Sequence, residues 1–226
     1  MKTAFFDAGN TLLWLDYAAI VRALDGRVTA ADVARADADT RRALDAWLLP
    51  QIEAGRYPPQ ESWMSARSLA DVLLDHLPVD DAARDRARPQ LAALDRDFDL
   101  WTIVPPQAPT LLEALRRRGR RLAVISNADG RVEWKLRKVG LARYFDAVLD
   151  SGIEKVSKPS PEIFRRAMAK LGVDPSESAY VGDIYSVDVV ASTRAGMRGI
   201  LFDRTGHYDG FPCPRAGELS ELEQHL

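Results

Sequence analysis

The sequence predicts an α/β fold, a doubly wound parallel sheet into which one all-helical segment is inserted. Three observations carry that prediction. An apolar run opens the chain at residues 2–6, and from residue 102 onward short apolar runs alternate with stretches of helical length. Between the two, over 16–97, the patterning is helical and no strand stands out. Parallel neighbours need crossover connections, so strands alternating with helices of this length imply a parallel sheet covered on both faces, a Rossmann-like arrangement.

The elements follow in order. Residues 2–6 read as a short buried strand, and Gly9, Asn10 and Thr11 supply turn chemistry just past its carboxyl end. The helical block breaks at Gly26, at 55–59 and at 78–81, where glycine and proline interrupt the pattern. Trp47, Trp63 and Met64 sit within it at spacings that suit helix packing, so they read as core. Then come helix 110–118, strand 121–125, helix 131–139, strand 146–149, helix 161–171, strand 179–181, helix 187–195 and strand 199–202. The expected domains are an α/β core of residues 1–15 and 98–226 and a helical cap of residues 16–97. The cap lies over the carboxyl edge of the sheet, where ligands bind in such folds.

Composition narrows the class of function. The chain has 226 residues, 46% apolar and 28% charged, which is ordinary for a globular protein that buries a substantial core. Lys and Arg number 31 against 33 Asp and Glu, so there is no electrostatic case for nucleic acid or an anionic membrane, and an anionic ligand must be small and locally held. Cys213 is the only cysteine, which excludes an intrachain disulfide and a multi-cysteine metal site and fits a reducing compartment. The first residues carry Lys2 and an apolar stretch cut short at Asp7, too short for a signal or a membrane span. A cytoplasmic protein is expected.

Four separated segments each set a polar group beside an apolar run. Asp7 follows the first strand and precedes a tight turn, which holds its carboxylate rigid and partly desolvated where it can attack phosphorus or carbon. An isolated aspartate there also reads as a turn cap. Ser126 and Asn127 follow the strand at 121–125, and their hydroxyl, amide and backbone donors suit a phosphate, although such residues also cap helices. Lys158 precedes Pro159, which gives the backbone a defined direction; a lysine so placed can neutralise a nucleophile and a phosphoryl group together, although taken alone it reads first as a solvated surface lysine. Gly182-Asp183 closes a buried strand, and Asp188 follows at a helix start. Asp7, Asp183 and Asp188 would leave three acids close together, a repulsion that Mg²⁺ resolves with hard oxygen ligands.

On Asp7 to Thr11, Ser126, Lys158 in its Lys-Pro-Ser-Pro-Glu-Ile-Phe context, and Gly182-Asp183 with Asp188, the chain resembles the haloacid dehalogenase superfamily of hydrolases over essentially its whole length. The resemblance implies that Asp7 is the nucleophile and a Mg²⁺ ligand and that Thr11 and Ser126 hold the transferring phosphoryl group. It implies that Lys158 balances charge, that Asp183 binds the metal, and that Asp188 supports it. In the phosphatase pattern the residue two beyond the nucleophile is a second aspartate, which protonates the leaving group and activates water while its carbonyl binds the metal. Here that residue is Gly9, which can supply only the carbonyl. Substitutes for the acid are His207, Asp209 or Asp16, and Trp14 and Tyr17 are placed to line the site.

The leading expectation is a Mg²⁺-dependent phosphatase acting on a small phosphorylated metabolite, or on acyl and aryl phosphates whose leaving group needs little protonation. A 2-haloacid dehalogenase would explain the missing acid, but such enzymes work without metal and generally lack the Gly182-Asp183 feature. A non-hydrolytic protein binding a phosphorylated ligand is also compatible with Gly9, and phosphonate cleavage is a minor option. Neither the substrate nor the oligomeric state is legible in the sequence.

Overall fold

The computed structural model describes residues 1–60, 62, 69–97 and 100–226. Six strands form one sheet in the order β3-β2-β1-β4-β5-β6, all parallel. They are β1 (Thr3–Phe6), β2 (Arg121–Ser126), β3 (Ala147–Asp150), β4 (Ser178–Gly182), β5 (Arg198–Phe202) and β6 (Arg215–Ala216). The first strand lies in the middle, and the strand order reverses beside it. That places a crevice at the carboxyl ends of β1, β2 and β4, where open α/β sheets take their ligands.

The sheet is buried because its strands are almost uninterrupted apolar residues. One face packs Phe6, Val124, Val181 and Ile200 against Leu111, Leu112 and Leu115 of α5 (Gln107–Arg117) and Leu136 of α6 (Val132–Lys138). The other packs Phe5, Ile125, Leu149 and Tyr180 under Ile163, Phe164, Ala167 and Met168 of α8 (Pro161–Leu171), which follows the one-turn α7 (Ser151–Glu154). Ser160 caps α8 by accepting from the Glu162 backbone N–H, Pro161 opens the helix, and Gly172 ends it in the left-handed conformation.

Between β1 and β2 lie α1 (Tyr17–Ala23), α2 (Ala30–Glu53), α3 (Leu69–Asp75) and α4 (Asp81–Asp97), with no strand among the described residues of that stretch. They share an apolar cluster of their own, built on Leu15, Ile20, Leu24, Val33, Leu73, Leu74, Ala87, Leu91 and Leu100. The long α2 starts at a reciprocal capping box between Thr29 and Asp32, and its far end packs Leu48 and Ile52 on Val187 of the sheet domain. No described helix is long and apolar enough to cross a membrane.

Most predicted elements hold with shifts of about a residue at their ends; α5, expected to start at 110, starts at Gln107, and further differences follow. The strand expected at 146–149 runs Ala147–Asp150, because Asp146 accepts from the Leu122 N–H and pairs with Arg116. The helix expected at 187–195 begins earlier, as a π-helical turn Tyr185–Val190 continued by α9 (Ala191–Arg194). The two-residue β6 is too short to show a period. Trp47, expected in the core, is 43% exposed, because α2 turns Asp37, Arg41, Asp45 and Leu48 inward instead. Trp63 and Met64 lie outside the described residues.

Candidate active site

Asp7 leaves the end of β1 with its N–H donated to the Val181 carbonyl at 2.8 Å, so β4 fixes its direction. The next residues wind back on themselves. The Ala8 carbonyl accepts from both Leu12 N–H and Leu13 N–H, at 2.9 and 2.8 Å, and Asn10 takes a left-handed φ of 50° that asparagine tolerates. This coil buries Thr11 completely and leaves its Oγ1 without a hydrogen-bond partner among the described residues. A buried hydroxyl with nothing to bond is costly unless a ligand completes it.

Lys158 is 1% exposed, and its ammonium is surrounded. Nζ lies 2.9 Å from Asp7 Oδ1, 2.7 Å from Asp188 Oδ1 and 2.8 Å from the Tyr180 hydroxyl. Burial works against its charge, but Asp188 and Asp7 outweigh that and hold the amine above its ordinary pKa. The Tyr180 hydroxyl donates to the Ile125 carbonyl at 2.8 Å, tying the lysine to the strand that ends in Ser126. Asn127 Nδ2 donates to the Lys158 carbonyl and its Oδ1 accepts from the Lys158 N–H, both at 2.8 Å. Both ends of the Asn127 side chain, expected to orient a phosphate, are thus engaged by the lysine backbone. Ser126 is buried at the end of β2 beside β1.

Asp183 and Asp188 stand beyond β4. Asp188 Oδ2 accepts from the Ile184 N–H at 2.9 Å, so the carboxylate folds back over Gly182. A Cβ on Gly182 would lie 2.3 Å from Asp188 Cγ, which is why only glycine fits there. Asp7, Asp183 and Asp188 each offer a carboxylate oxygen, and these atoms lie within 4.8 Å of one another. Burial raises the pKa of Asp7, with Lys158 opposing, and burial raises that of Asp183 to about 7, with Arg41 opposing.

The helical insertion contributes a row of charges that the sequence reading passed over. Asp37, Arg41 and Asp45, one helical turn apart on α2, are all buried. Arg41 Nη1 donates to Asp183 Oδ2 at 2.8 Å, and Nη2 lies 3.1 Å from Asp37 Oδ2. Asp37 also accepts from the Tyr17 hydroxyl at 2.6 Å, and Asp45 accepts from Ser186 N–H and the Tyr208 hydroxyl, each at 2.7 Å. A turn-spaced acid-base-acid row on an otherwise amphipathic helix was the available signal. Charges on helices default to solvent, and the sequence alone does not say which row turns inward.

Of the three residues expected to substitute for an acid at position 9, two are engaged and none is hydrogen-bonded to the site among the described residues. Asp16 caps α1 through the Ala19 N–H and pairs with Arg22 at 3.6 Å. Asp209 is exposed and pairs with Arg215. His207 donates its N–H to Asp203 and leaves Nδ1 buried and unpartnered, with no hydrogen bond to Asp7, Lys158, Asp183 or Asp188 among the described residues. Trp14 and Tyr17, expected to line the site, both stack with Arg204, whose guanidinium carbon is 4.2 and 5.7 Å from their ring centroids.

Divalent metal suits this group of oxygens. Three carboxylates converge on two buried cations, Lys158 and Arg41, so a negative charge remains when all are ionised. Hard oxygen donors of this kind suit Mg²⁺.

A family profile described as haloacid dehalogenase-like hydrolase matches residues 1–196. The phosphoserine phosphatase of Thermus thermophilus is 37% identical over 144 residues, covering 62% of this chain and 57% of that protein. The glyceraldehyde 3-phosphate phosphatase of Methanopyrus kandleri is 33% identical over 143 residues, covering 63% of this chain and 61% of its own length. The chain thus spans little more than half the length of these two curated relatives. Among solved structures, the 2-haloacid dehalogenase from Pseudomonas syringae pv. Tomato DC3000 superposes with a TM-score of 0.58 at 26% identity, covering 99% of this chain and 97% of that one.

Proposed function

We propose that this chain, which belongs to the haloacid dehalogenase-like hydrolase family, is a Mg²⁺-dependent phosphatase acting on a small phosphorylated metabolite through Asp7. The observation that carries the reading is the buried set of Asp7, Asp183 and Asp188 within 4.8 Å, with Lys158 2.9 Å from Asp7. The relatives named as phosphatases support it. In this reading residues 16–97 are a helical cap over the site, and a cytoplasmic setting suits the single cysteine.

Each residue has a role set by its surroundings. The Asp7 carboxylate attacks phosphorus, and its P–O bond forms as the bond to the leaving group breaks. Lys158 opposes the rise in pKa that burial imposes on that carboxylate and faces the incoming charge. Thr11 Oγ1, buried and unpaired, and Ser126 hold the phosphoryl oxygens. Asp7, Asp183 and the Gly9 carbonyl would hold Mg²⁺, with Asp188 supporting, and the ion would neutralise phosphoryl charge as it develops. Water then releases phosphate from Asp7. Fixed charges of this kind usually supply the largest share of rate enhancement.

The test is hydrolysis of p-nitrophenyl phosphate and acetyl phosphate with Mg²⁺ and with EDTA. Turnover is expected only with metal, and Asp7→Asn abolishes it; turnover of neither substrate with Mg²⁺ present would defeat the reading. A second reading, 2-haloacid dehalogenation, is favoured by Arg41, which already places a cation on Asp183 where metal would otherwise be needed. Halide release from 2-chloropropionate that persists in EDTA would establish it over the first.

A further inference from the structure

Gly9 is not simply a vacant position. A Cβ built on it would meet the six-membered ring of Trp101, at 3.4 Å from Cζ3, 3.8 Å from Cη2 and 3.9 Å from Cε3. A Cβ there would sit in ordinary van der Waals contact with the ring, so the indole flanks the path that a longer side chain would take. Trp101 is held there by its neighbours. Trp14 N–H donates to the Ile103 carbonyl at 2.7 Å, Ile103 N–H returns to the Trp14 carbonyl at 3.3 Å, and Asp16 N–H donates to the Leu100 carbonyl at 2.8 Å. The segment 100–103 is thereby laced along the chain that follows Asp7. Trp101 also packs against the apolar clusters of both the sheet domain and the helical insertion.

We propose that Trp101 closes the place beside Asp7 from which a second acid would act. The chain then accepts phosphoryl groups only from substrates whose leaving group departs as a stable anion, acyl phosphates first, and discharges Asp7 slowly. The proposal rests on the phosphatase reading and narrows it to a substrate class. Its second support is the fate of four described carboxyls outside the Asp7, Asp183 and Asp188 group. Asp16 is a helix cap, Asp37 is bonded to Tyr17 and Arg41, Asp45 to Ser186 and Tyr208, and Asp203 to His207, Tyr208 and Arg215.

The consequence differs between the two half-reactions. In the first, an Asp7 oxygen bonds to phosphorus and the bond to the leaving group breaks, its electron pair leaving with that group. A carboxylate from an acyl phosphate leaves unprotonated at neutral pH, whereas an alkoxide needs a proton, and a positioned acid is worth about 10²–10⁴-fold. In the second, a water oxygen bonds to phosphorus, the bond to Asp7 breaks and restores its carboxylate, and the water proton passes to solvent. No base stands at position 9 to take it, so the aspartyl phosphate accumulates whenever it forms quickly.

Rapid-quench kinetics of the wild-type chain with Mg²⁺ test this on acetyl, p-nitrophenyl, phenyl and ethyl phosphate. The activated substrates should give a burst of about one leaving group per chain, followed by slower turnover, the signature of a covalent intermediate. Ethyl phosphate should react at least ~100-fold more slowly in the first step. Gly9→Asp alone, with the ring still in place, should gain no rate on ethyl phosphate. Gly9→Asp with Trp101→Gly, checked for folding by circular dichroism, should lose the burst and gain on ethyl phosphate. Equal first-step rates across the series, or steady turnover of acetyl phosphate without a burst, would overturn the inference and leave the phosphatase reading intact. Failure of all four substrates would defeat both.

Discussion

Arg41→Met removes the one cation that the described residues of the helical insertion send into the acidic group, and the cost can be worked from its surroundings. The guanidinium is 5% exposed and faces Asp183 at 2.8 Å and Asp37 at 3.1 Å, carboxylates exposed by 6% and 0%. Exposed ion pairs are worth about 0–1 kcal/mol, but stripping one partner from a buried pair costs about 3–5 kcal/mol, because a charge is left in low dielectric without compensation. The variant therefore loses up to about 3–5 kcal/mol in metal-free buffer, less whatever Asp183 recovers by taking up a proton, because Arg41 is the charge that holds the pKa of Asp183 down to about 7. Mg²⁺ should stabilise the variant more than the wild type, since the ion meets an Asp183 with no competing cation. For scale, a ligand at 100 times its Kd adds about 2.7 kcal/mol. Urea denaturation at pH 8, with and without Mg²⁺, reads both quantities. A loss below about 1 kcal/mol would refute the buried-pair argument, and equal Mg²⁺ increments in the two proteins would refute the place given to the metal.

Asp45→Ala orphans the Ser186 N–H and the Tyr208 hydroxyl, both bonded at 2.7 Å, and should cost about 2 kcal/mol or more by chemical denaturation, from ~1–3 kcal/mol per unsatisfied buried group. Tyr180→Phe keeps the ring against Phe164, at 4.9 Å between centroids, and deletes the hydroxyl that holds Lys158. It should lower kcat with KM nearly unchanged, as steady-state kinetics would show. The pH dependence has a definite sign. Asp183 has a folded pKa of about 7 against 3.8 as its reference value, so between those values the native state binds more protons than the unfolded one. Stability from this group is present below pH ~4 and is lost as pH rises through ~7, by the linkage between proton uptake and folding. Metal-free wild type should therefore fall in stability relative to Asp183→Asn over that range, and a difference that grows in the opposite direction would contradict the assignment.

The order of strands and helices was legible because period and length speak locally, and the grouping of Asp7, Lys158, Asp183 and Asp188 because Asp7 and Asp183 each follow an apolar strand, Lys158 precedes a proline that fixes its direction, and Asp188 lies five residues after Asp183. The structure gathers those four side chains. What stayed hidden depended on contacts between distant segments. Asn127 reads in the sequence as a phosphate donor, and only the structure shows its two bonds to the Lys158 backbone. Arg41 reaches Asp183 across 142 positions of sequence, and nothing in the helical pattern of α2 names that partner. The meaning of Gly9 likewise depended on Trp101, brought beside it by backbone pairing of residues 14–16 with 100–103. Trp47 was placed wrongly because aromatic residues favour burial, while this helix buries its charges.

The most direct test of the account is to acid-quench the wild-type protein during reaction with acetyl phosphate and Mg²⁺, digest it, and locate any phosphoryl group by mass spectrometry. The account predicts a labile acyl phosphate on Asp7, absent from Asp7→Asn and from samples treated with EDTA. A phosphoryl group on another residue, or full turnover by Asp7→Asn, would contradict it.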